Sequence, residues 1–208
     1  MNIFSSEEAL NEIIKKNRSI SRFGDGELRL IFGKGIPFQT VNKLLIKKLK
    51  KVLKSNKKGL LIGINIPYNN SYLSIFNDKT KNYYINFVEK YKLKIFPLID
   101  INKNYYSSYM TRFYMDIKDK SKISYYIKKF KQIWDKKDIV IIEGEKSRLG
   151  LGNDLFKNSK SIKRILCPVT NAFNVYGKII NQIKKIDKSK LILLALGPTS
   201  TVLAYDLS

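Results

Sequence analysis

The sequence predicts an α/β, Rossmann-like fold: a mostly parallel, doubly wound sheet flanked by helices, in one domain covering residues 1–208. Three observations predict it. Short apolar runs alternate with longer amphipathic stretches across short connections, the pattern of parallel α/β folds. Gly59–Ile64 and Asp138–Glu143 are nearly continuous apolar runs, as in strands buried on both faces. Glycine-bearing turns follow three of the strand-like runs, at Gly24, Gly144 and Gly197, and such sheets bind ligands beyond the carboxyl ends of their strands.

The elements follow in order. Ser5-Ser6-Glu7-Glu8 ahead of Leu10, Ile13 and Ile14 reads as a capped amphipathic helix ending near Asn17. Ser19–Phe23 alternates polar and apolar residues as a half-buried strand does, and Leu28, Leu30, Ile31 and Phe32 return to near-helical spacing. Thr40 is placed to cap a helix with Val41, Leu44, Leu45, Leu49, Val52 and Leu53 on one face and Lys47, Lys50, Lys51 and Lys54 largely elsewhere. That basic amphipathic face suits either packing on the sheet or an anionic membrane, and packing is the commoner use. After the Gly59–Ile64 strand, Asn65–Asn70 forms a possible ligand loop. Lys79–Tyr91 reads as helix, Ile95–Ile99 as a short strand, Ser121–Lys131 as helix and Asp138–Glu143 as a central strand. Ile162–Cys167 is a further strand, Asn171–Ile183 a helix and Lys190–Leu196 a last apolar strand.

Composition narrows the chemistry. No histidine is present and Cys167 is the single cysteine, so intrachain disulfides are impossible and zinc sites or triads that need imidazole are effectively excluded. Any acid or base is Asp, Glu, Lys or Tyr. No uncharged apolar stretch approaches the roughly 18 residues of a membrane span, and Glu7 and Glu8 interrupt any signal-peptide core. The expected location is the cytoplasm, including the inner face of the membrane. The net charge of +23 raises nucleic-acid binding as a rival function. Yet the lysines are spread along the chain, no nucleic-acid motif accompanies them, and AT-rich codons alone enrich Lys, Asn, Ile and Tyr. A basic surface attracting nucleotide-sugar, acidic glycan or anionic lipid is the preferred reading, with no nucleic acid as partner.

The strongest local signal is Arg22-Phe23-Gly24-Asp25-Gly26-Glu27, with two carboxylates two positions apart between glycines at a strand-to-helix corner. Oxygen ligands of this kind suit a hard divalent cation whose shell is completed by phosphate. The same spacing also suits a tight turn in which Asp25 caps the helix and Glu27 occupies its first turn, and spacing alone favours that second use. The Gly144–Asn153 loop places free N–H groups and Arg148 where an anion could sit, with Gly152 and Asn153 at its far end. Asn153 and Asp154 are alternatively helix caps. Tyr105, Tyr106, Tyr109, Phe113 and Tyr114 surround Arg112, as an aromatic core or as a platform for a uracil or sugar ring. Gly197-Pro198-Thr199 opens a helix whose amino end either binds phosphate or sugar or is simply capped.

Three segments carry a resemblance to a known family: Ser19–Glu27, Glu143–Phe156 and Ala195–Thr199. In this order they resemble the bacterial GT-D glycosyltransferases, formerly a domain of unknown function, and the likeness runs across almost the whole chain. The resemblance implies a GT-D-type fold and a metal-dependent transfer of sugar, a hexosyl group, from a UDP-sugar to a glycan acceptor of glycoprotein, capsule or surface polysaccharide. It implies that Asp25 and Glu27 hold Mn²⁺ or Mg²⁺ and are the catalytic pair, and it reverses the preference for the cap reading. The residue readings and the resemblance together give the candidate donor contacts Phe23, Gly24, Gly26, Asn65, Arg112, Tyr114, Arg148, Gly152, Asn153, Gly197 and Thr199, and the resemblance adds weight to Arg112, Tyr114 and the Gly144–Asn153 loop. The family continues past the last helix into an acidic stretch, so the chain is expected to lack that C-terminal segment. If the reaction inverts, a carboxylate base is needed, and Asp100, Asp116, Glu143, Glu145, Asp154 or a residue beyond Ser208 are its candidates. A metal-dependent nucleotide phosphotransferase or hydrolase is the rival use of the same corner.

Overall fold

A computed structural model describes residues 1–66 and 73–208. Among the described residues, seven strands form two wholly parallel sheets. The first holds β1 (Asn2–Phe4), β4 (Asn104–Ser107), β3 (Leu60–Ile64) and β2 (Ser19–Phe23) in that order. The second holds β6 (Ser161–Cys167), β5 (Asp138–Gly144) and β7 (Leu191–Ala195). The helices are α1 (Ser6–Lys16), α2 (Asp25–Ile31), α3 (Lys43–Leu53), α4 (Asp78–Ile95), α5 (Ile123–Trp134), α6 (Tyr176–Ile183) and α7 (Pro198–Leu207).

The expected single sheet is therefore divided, and α7 lies at the division. Thr201 on α7 donates its hydroxyl to the carbonyl of Arg22 at 2.8 Å, on the edge of β2 that faces away from β3, and Ser21 Oγ donates to the Thr201 carbonyl at 2.8 Å. Val202 and Leu203 of the same helix enter two separate cores. Val202 packs with Phe23, Leu45 and Ile64, while Leu203 packs with Val140, Ile165 and Ile179. A third core joins Ala9 and Leu10 of α1 to Ile133, Trp134, Ile139 and Ile141.

Local signals explain most boundaries. Ser5 and Glu8 close a reciprocal capping box on α1, and Asn17 ends the helix in the left-handed conformation. β3 and the middle of β5 are buried throughout, as their apolar runs require. Several expectations are corrected. Asn42, not Thr40, caps α3 by accepting from the N–H groups of Leu44 and Leu45, while Thr40 hydrogen-bonds the side chain of Asn171. Ile95–Ile99 is not a strand: Tyr84, Phe87, Tyr91 and Ile95 form one buried helical stripe, and α4 runs through Ile95 into a 3₁₀ turn at Phe96–Leu98. The aromatic stretch contains a strand, β4, whose Tyr105 and Ser107 are buried. The Gly144–Asn153 loop leads through turns into β6 rather than into a helix, and Asn171–Ile183 begins with a 3₁₀ turn before α6.

Candidate active site

The carboxyl ends of β2, β3, β4, β5 and β7 open into one cavity of about 2390 Å³, walled by Gly24, Asp25, Glu27, Asn65, Arg112 and Arg148, with Gly197 at one margin. Its volume exceeds the roughly 300–1,000 Å³ of a single small-molecule pocket because it runs on into the space between β2 and β7.

The acidic corner is built by the first turn of α2. Glu27 Oε2 accepts the backbone N–H of Gly24 at 2.7 Å, so the side chain reaches back over the turn that starts its own helix. A Cβ at Gly24 would lie 3.2 Å from that oxygen and 3.8 Å from Asn65 Nδ2, so a bare backbone here lets Glu27 and Asn65 converge. Enclosure by protein raises the Glu27 carboxyl above its ordinary range, partly opposed by hydrogen bonds from the Gly24 and Glu27 backbone and by the charge of Arg22. Asp25 faces the cleft, where its Oδ2 accepts the Tyr83 hydroxyl at 2.6 Å and lies 3.5 Å from Arg29 Nε. Arg29 Nη2 completes the triangle with Tyr83 Oη at 3.1 Å.

Asn65, at the end of β3, is buried and donates Nδ2 to Tyr84 Oη at 2.7 Å. Its Oδ1 is buried without a hydrogen-bond partner among the described residues. Two carboxylates and an unpartnered amide oxygen are an all-oxygen donor set, which fits Mg²⁺ or Mn²⁺ and suits zinc or copper poorly. Among the described residues no group of three or more Asp, Glu or Cys assembles, so ligands beyond these would come from substrate and water.

Positive charge gathers around this corner. Arg22, in β2 three residues before Asp25, donates Nε and Nη2 to the carbonyl of Ser108 at 3.0 and 2.7 Å, tying β2 to the end of β4. Desolvation lowers its guanidinium, Glu27 raises it, and the nearby Arg112 lowers it again. Arg112 is exposed in the cleft and paired with Asp116, and Tyr114 is 54% exposed beside it. Arg148 projects exposed from the loop after β5.

The remaining predicted residues are distributed differently. Gly24, Asp25, Gly26, Glu27, Asn65, Arg112, Tyr114, Arg148, Asn153 and Gly197 line the cavity, whereas Phe23, Gly152 and Thr199 do not. Phe23 is fully buried in the first core. Gly152 lies at a shallow surface hollow, and Asn153 Oδ1 accepts the N–H of Leu155 in a local turn. Thr199 is fully buried, with Oγ1 unpartnered among the described residues. Residues 67–70 of the predicted Asn65–Asn70 ligand loop lie outside the described residues. Of the candidate bases, Asp116 alone lines the cavity. Glu143 is buried against Arg164, whose Nη2 also holds the carbonyl of Leu149 at 2.8 Å. Asp154 is paired with Lys131, and Asp100 caps a turn ahead of β4, at the opposite end of its sheet. Tyr83 and Arg22 escaped sequence reasoning as site residues, although an arginine inside a strand directly before the acidic pair is a signal for the second.

Parallel α/β sheets bind ligands beyond the carboxyl ends of their strands, and acidic and basic side chains gather there in this fold. The comparisons narrow this. Residues 20–208 match the family model described as glycosyltransferase GT-D fold, and the chain belongs to that family. It is 35% identical over 211 residues to a probable glycosyl transferase Gly of Streptococcus gordonii, covering 100% of this chain and 30% of the relative. It is 33% identical over 202 residues to the glycosyltransferase GlyD of Streptococcus pneumoniae, covering 97% of this chain and 24% of the relative. The chain thus spans less than a third of these curated relatives. A solved structure of a new glycosyltransferase, DUF1792, from Streptococcus sanguinis superposes with a TM-score of 0.94 at 32% identity, over 100% of this chain and 77% of the other. A second, of a domain of unknown function 1792 with a distinct glycosyltransferase fold, has a TM-score of 0.94 at 36% identity, over 100% and 74%.

Proposed function

We propose that the protein transfers a sugar from a UDP-sugar to a glycan acceptor with the help of Mn²⁺ or Mg²⁺ at Asp25 and Glu27. The observation that supports this reading is that Asp25, Glu27 and Asn65, whose Oδ1 is unpartnered among the described residues, line one cleft with Arg112 and Arg148. A bound divalent cation supplies Lewis-acid charge to the departing diphosphate. Asp25 and Glu27 supply the carboxylates that hold it, and Arg22 fixes the backbone on which they stand. Arg112 and Arg148 place permanent positive charge at the same diphosphate oxygens, where charge grows as the sugar leaves. Tyr114 offers an exposed ring face to the uracil or sugar. For an inverting reaction this reading takes Asp116 as the base, because it alone of the candidate carboxylates lines the cleft, where it pairs with Arg112.

Glycans of surface proteins or polysaccharides are the acceptor class this reading takes, and an anionic membrane face is the proposed place of work. Among the described residues no helix is long and apolar enough to cross a membrane. Phe38, Val41 and Leu44 are exposed beside Lys43 and Lys47, which supports peripheral contact with an anionic surface. Thermal unfolding with a panel of UDP-sugars, with and without Mn²⁺, tests the proposal, because a ligand that binds only the folded state raises its apparent stability. Stabilisation by one UDP-sugar that requires the cation supports it. Release of free phosphate with no acceptor extended would favour the hydrolase instead.

A further inference from the structure

A buried charge pair with no part in the proposed chemistry lies beneath the loop that carries Arg148. β5 and β6 pair with Ile141 opposite Arg164 and Glu143 opposite Leu166, so Glu143 and Arg164 stand diagonally on one face of the sheet. Around them that face is apolar: Ile139 and Ile141 belong to the third core, and Leu149, Leu155 and Phe156 of the returning loop pack there with them. Arg164 Nη1 donates to Oε1 of the buried Glu143, whose Oε2 has no hydrogen-bond partner among the described residues. Stability alone does not account for such a pair, because two apolar side chains of similar volume in its place are commonly neutral or stabilising.

The guanidinium has a second acceptor. Arg164 Nη2 donates to the Leu149 carbonyl at 2.8 Å, so a side chain from β6 grips the main chain directly after Arg148. Glu143 holds one prong of the planar fork and thereby aims the other at the loop, a division of labour that an ammonium on a flexible stem does not offer. Further contacts brace the loop on both sides of this grip. The N–H of Ser147 donates to the Gly144 carbonyl at 2.7 Å, that of Leu151 to the Arg148 carbonyl at 3.0 Å, and Trp134 Nε1 to the Leu155 carbonyl at 2.9 Å. Gly150 lies against the ring of Phe156, with no room there for a Cβ. Arg148 itself is left exposed on the wall of the cleft.

We propose that Glu143 and Arg164 are a positioning pair: through the Leu149 carbonyl they fix the backbone at Arg148 and so set where its guanidinium meets an anionic ligand. The clamp stands apart from the glycosyltransferase reading, and only the identity of the anion, a nucleoside diphosphate, rests on that reading. Glu143→Leu combined with Arg164→Met removes both charges at similar volume, so the unfolding midpoint is expected to be unchanged or higher. The nuclear magnetic resonance order parameter of the Arg148 amide is expected to fall from about 0.85 to below about 0.6. Affinity for UDP with Mn²⁺ is expected to weaken by about five- to tenfold, and adding Arg148→Ala to the charge-free variant is expected to weaken it no further. Arg164→Lys, which keeps a charge for Glu143 without the fork, is expected to move both readouts the same way by less. An order parameter that neither variant changes, or that is already low in the natural protein, overturns the proposal. So does a loss of UDP affinity that is equally large when residue 148 is alanine. If Arg148→Ala in the natural sequence leaves UDP affinity unmoved while the order parameter still falls in the charge-free variant, the clamp is upheld and the diphosphate role of Arg148 fails.

Discussion

Tyr83 donates its hydroxyl to Asp25 Oδ2 at 2.6 Å, linking α4 to the first turn of α2 across 58 residues of sequence. The bond occupies one of the two carboxylate oxygens, and Arg29 stands 3.5 Å from the same atom. Under the proposed function, a cation at Asp25 would compete with these donors. Tyr83→Phe is expected to tighten Mn²⁺ binding by a few-fold, since a net hydrogen bond contributes about 0.5–1.5 kcal/mol. Calorimetric titration of the metal alone checks this. Unchanged or weaker binding would show that Tyr83 does not compete for the site.

Glu27 gives the site a pH dependence. Its carboxyl is raised in the folded protein, so the folded state binds the proton more tightly than the unfolded chain does. The associated stability is fully present below the unfolded-state value and is lost as pH rises through the folded-state value. A bound cation favours the ionised form, so stabilisation by Mn²⁺ is expected to grow over that same rise. Unfolding midpoints across pH 4 to 7, roughly the range of carboxyl titration, with and without Mn²⁺, would display it. Glu27→Gln is expected to flatten both curves.

Arg22 is a positioning residue whose removal acts on folding. Its two hydrogen bonds to Ser108 O join β2 to the end of β4, and its charge faces Glu27. Arg22→Met is expected to cost about 2–3 kcal/mol in denaturant unfolding, the scale of hydrogen bonds made by a charged group. Arg22→Lys restores the charge but not the two-pronged contact, and is expected to recover only part of the loss.

Gly197 opens α7 with φ +55, and a Cβ there would lie 2.7 Å from the ring of Phe38. Gly197→Ala meets both a disfavoured backbone conformation and a rigid aromatic neighbour. A loss of about 1–3 kcal/mol is expected, read by the same unfolding measurement. Adding Phe38→Ala should return the steric share and leave the backbone share, which a double-mutant cycle separates.

The parts of this fold that local pattern controls were legible. Ser5 and Glu8 announce α1, the apolar runs announce β3 and β5, and Asp25-Gly26-Glu27 marks a strand-to-helix corner because glycine and acid residues at that spacing have few other uses. What was hidden depends on distant partners. β4 looked like an aromatic cluster because Tyr105 and Tyr106 face opposite sides of a strand whose register comes from β1 and β3. Thr40 looked like a cap until Asn171, more than a hundred residues away, claimed it. Phe23 and Thr199 belong to the recognised segments, yet packing turns both into the interior, while Tyr83 reaches the site from a helix that carries no motif. The division of the sheet was likewise unreadable, since the contacts that bring α7 to β2, such as the Thr201 hydroxyl on the Arg22 carbonyl, join residues 179 apart in sequence.

Titration of UDP into the protein, with and without Mn²⁺, on the natural sequence and on Asp25→Ala, tests the cation-held diphosphate most directly. UDP is expected to bind the natural protein at least about tenfold more tightly with Mn²⁺, a coupling of 1.4 kcal/mol or more, and the difference is expected to vanish in Asp25→Ala. Equal affinity under all four conditions would contradict the account.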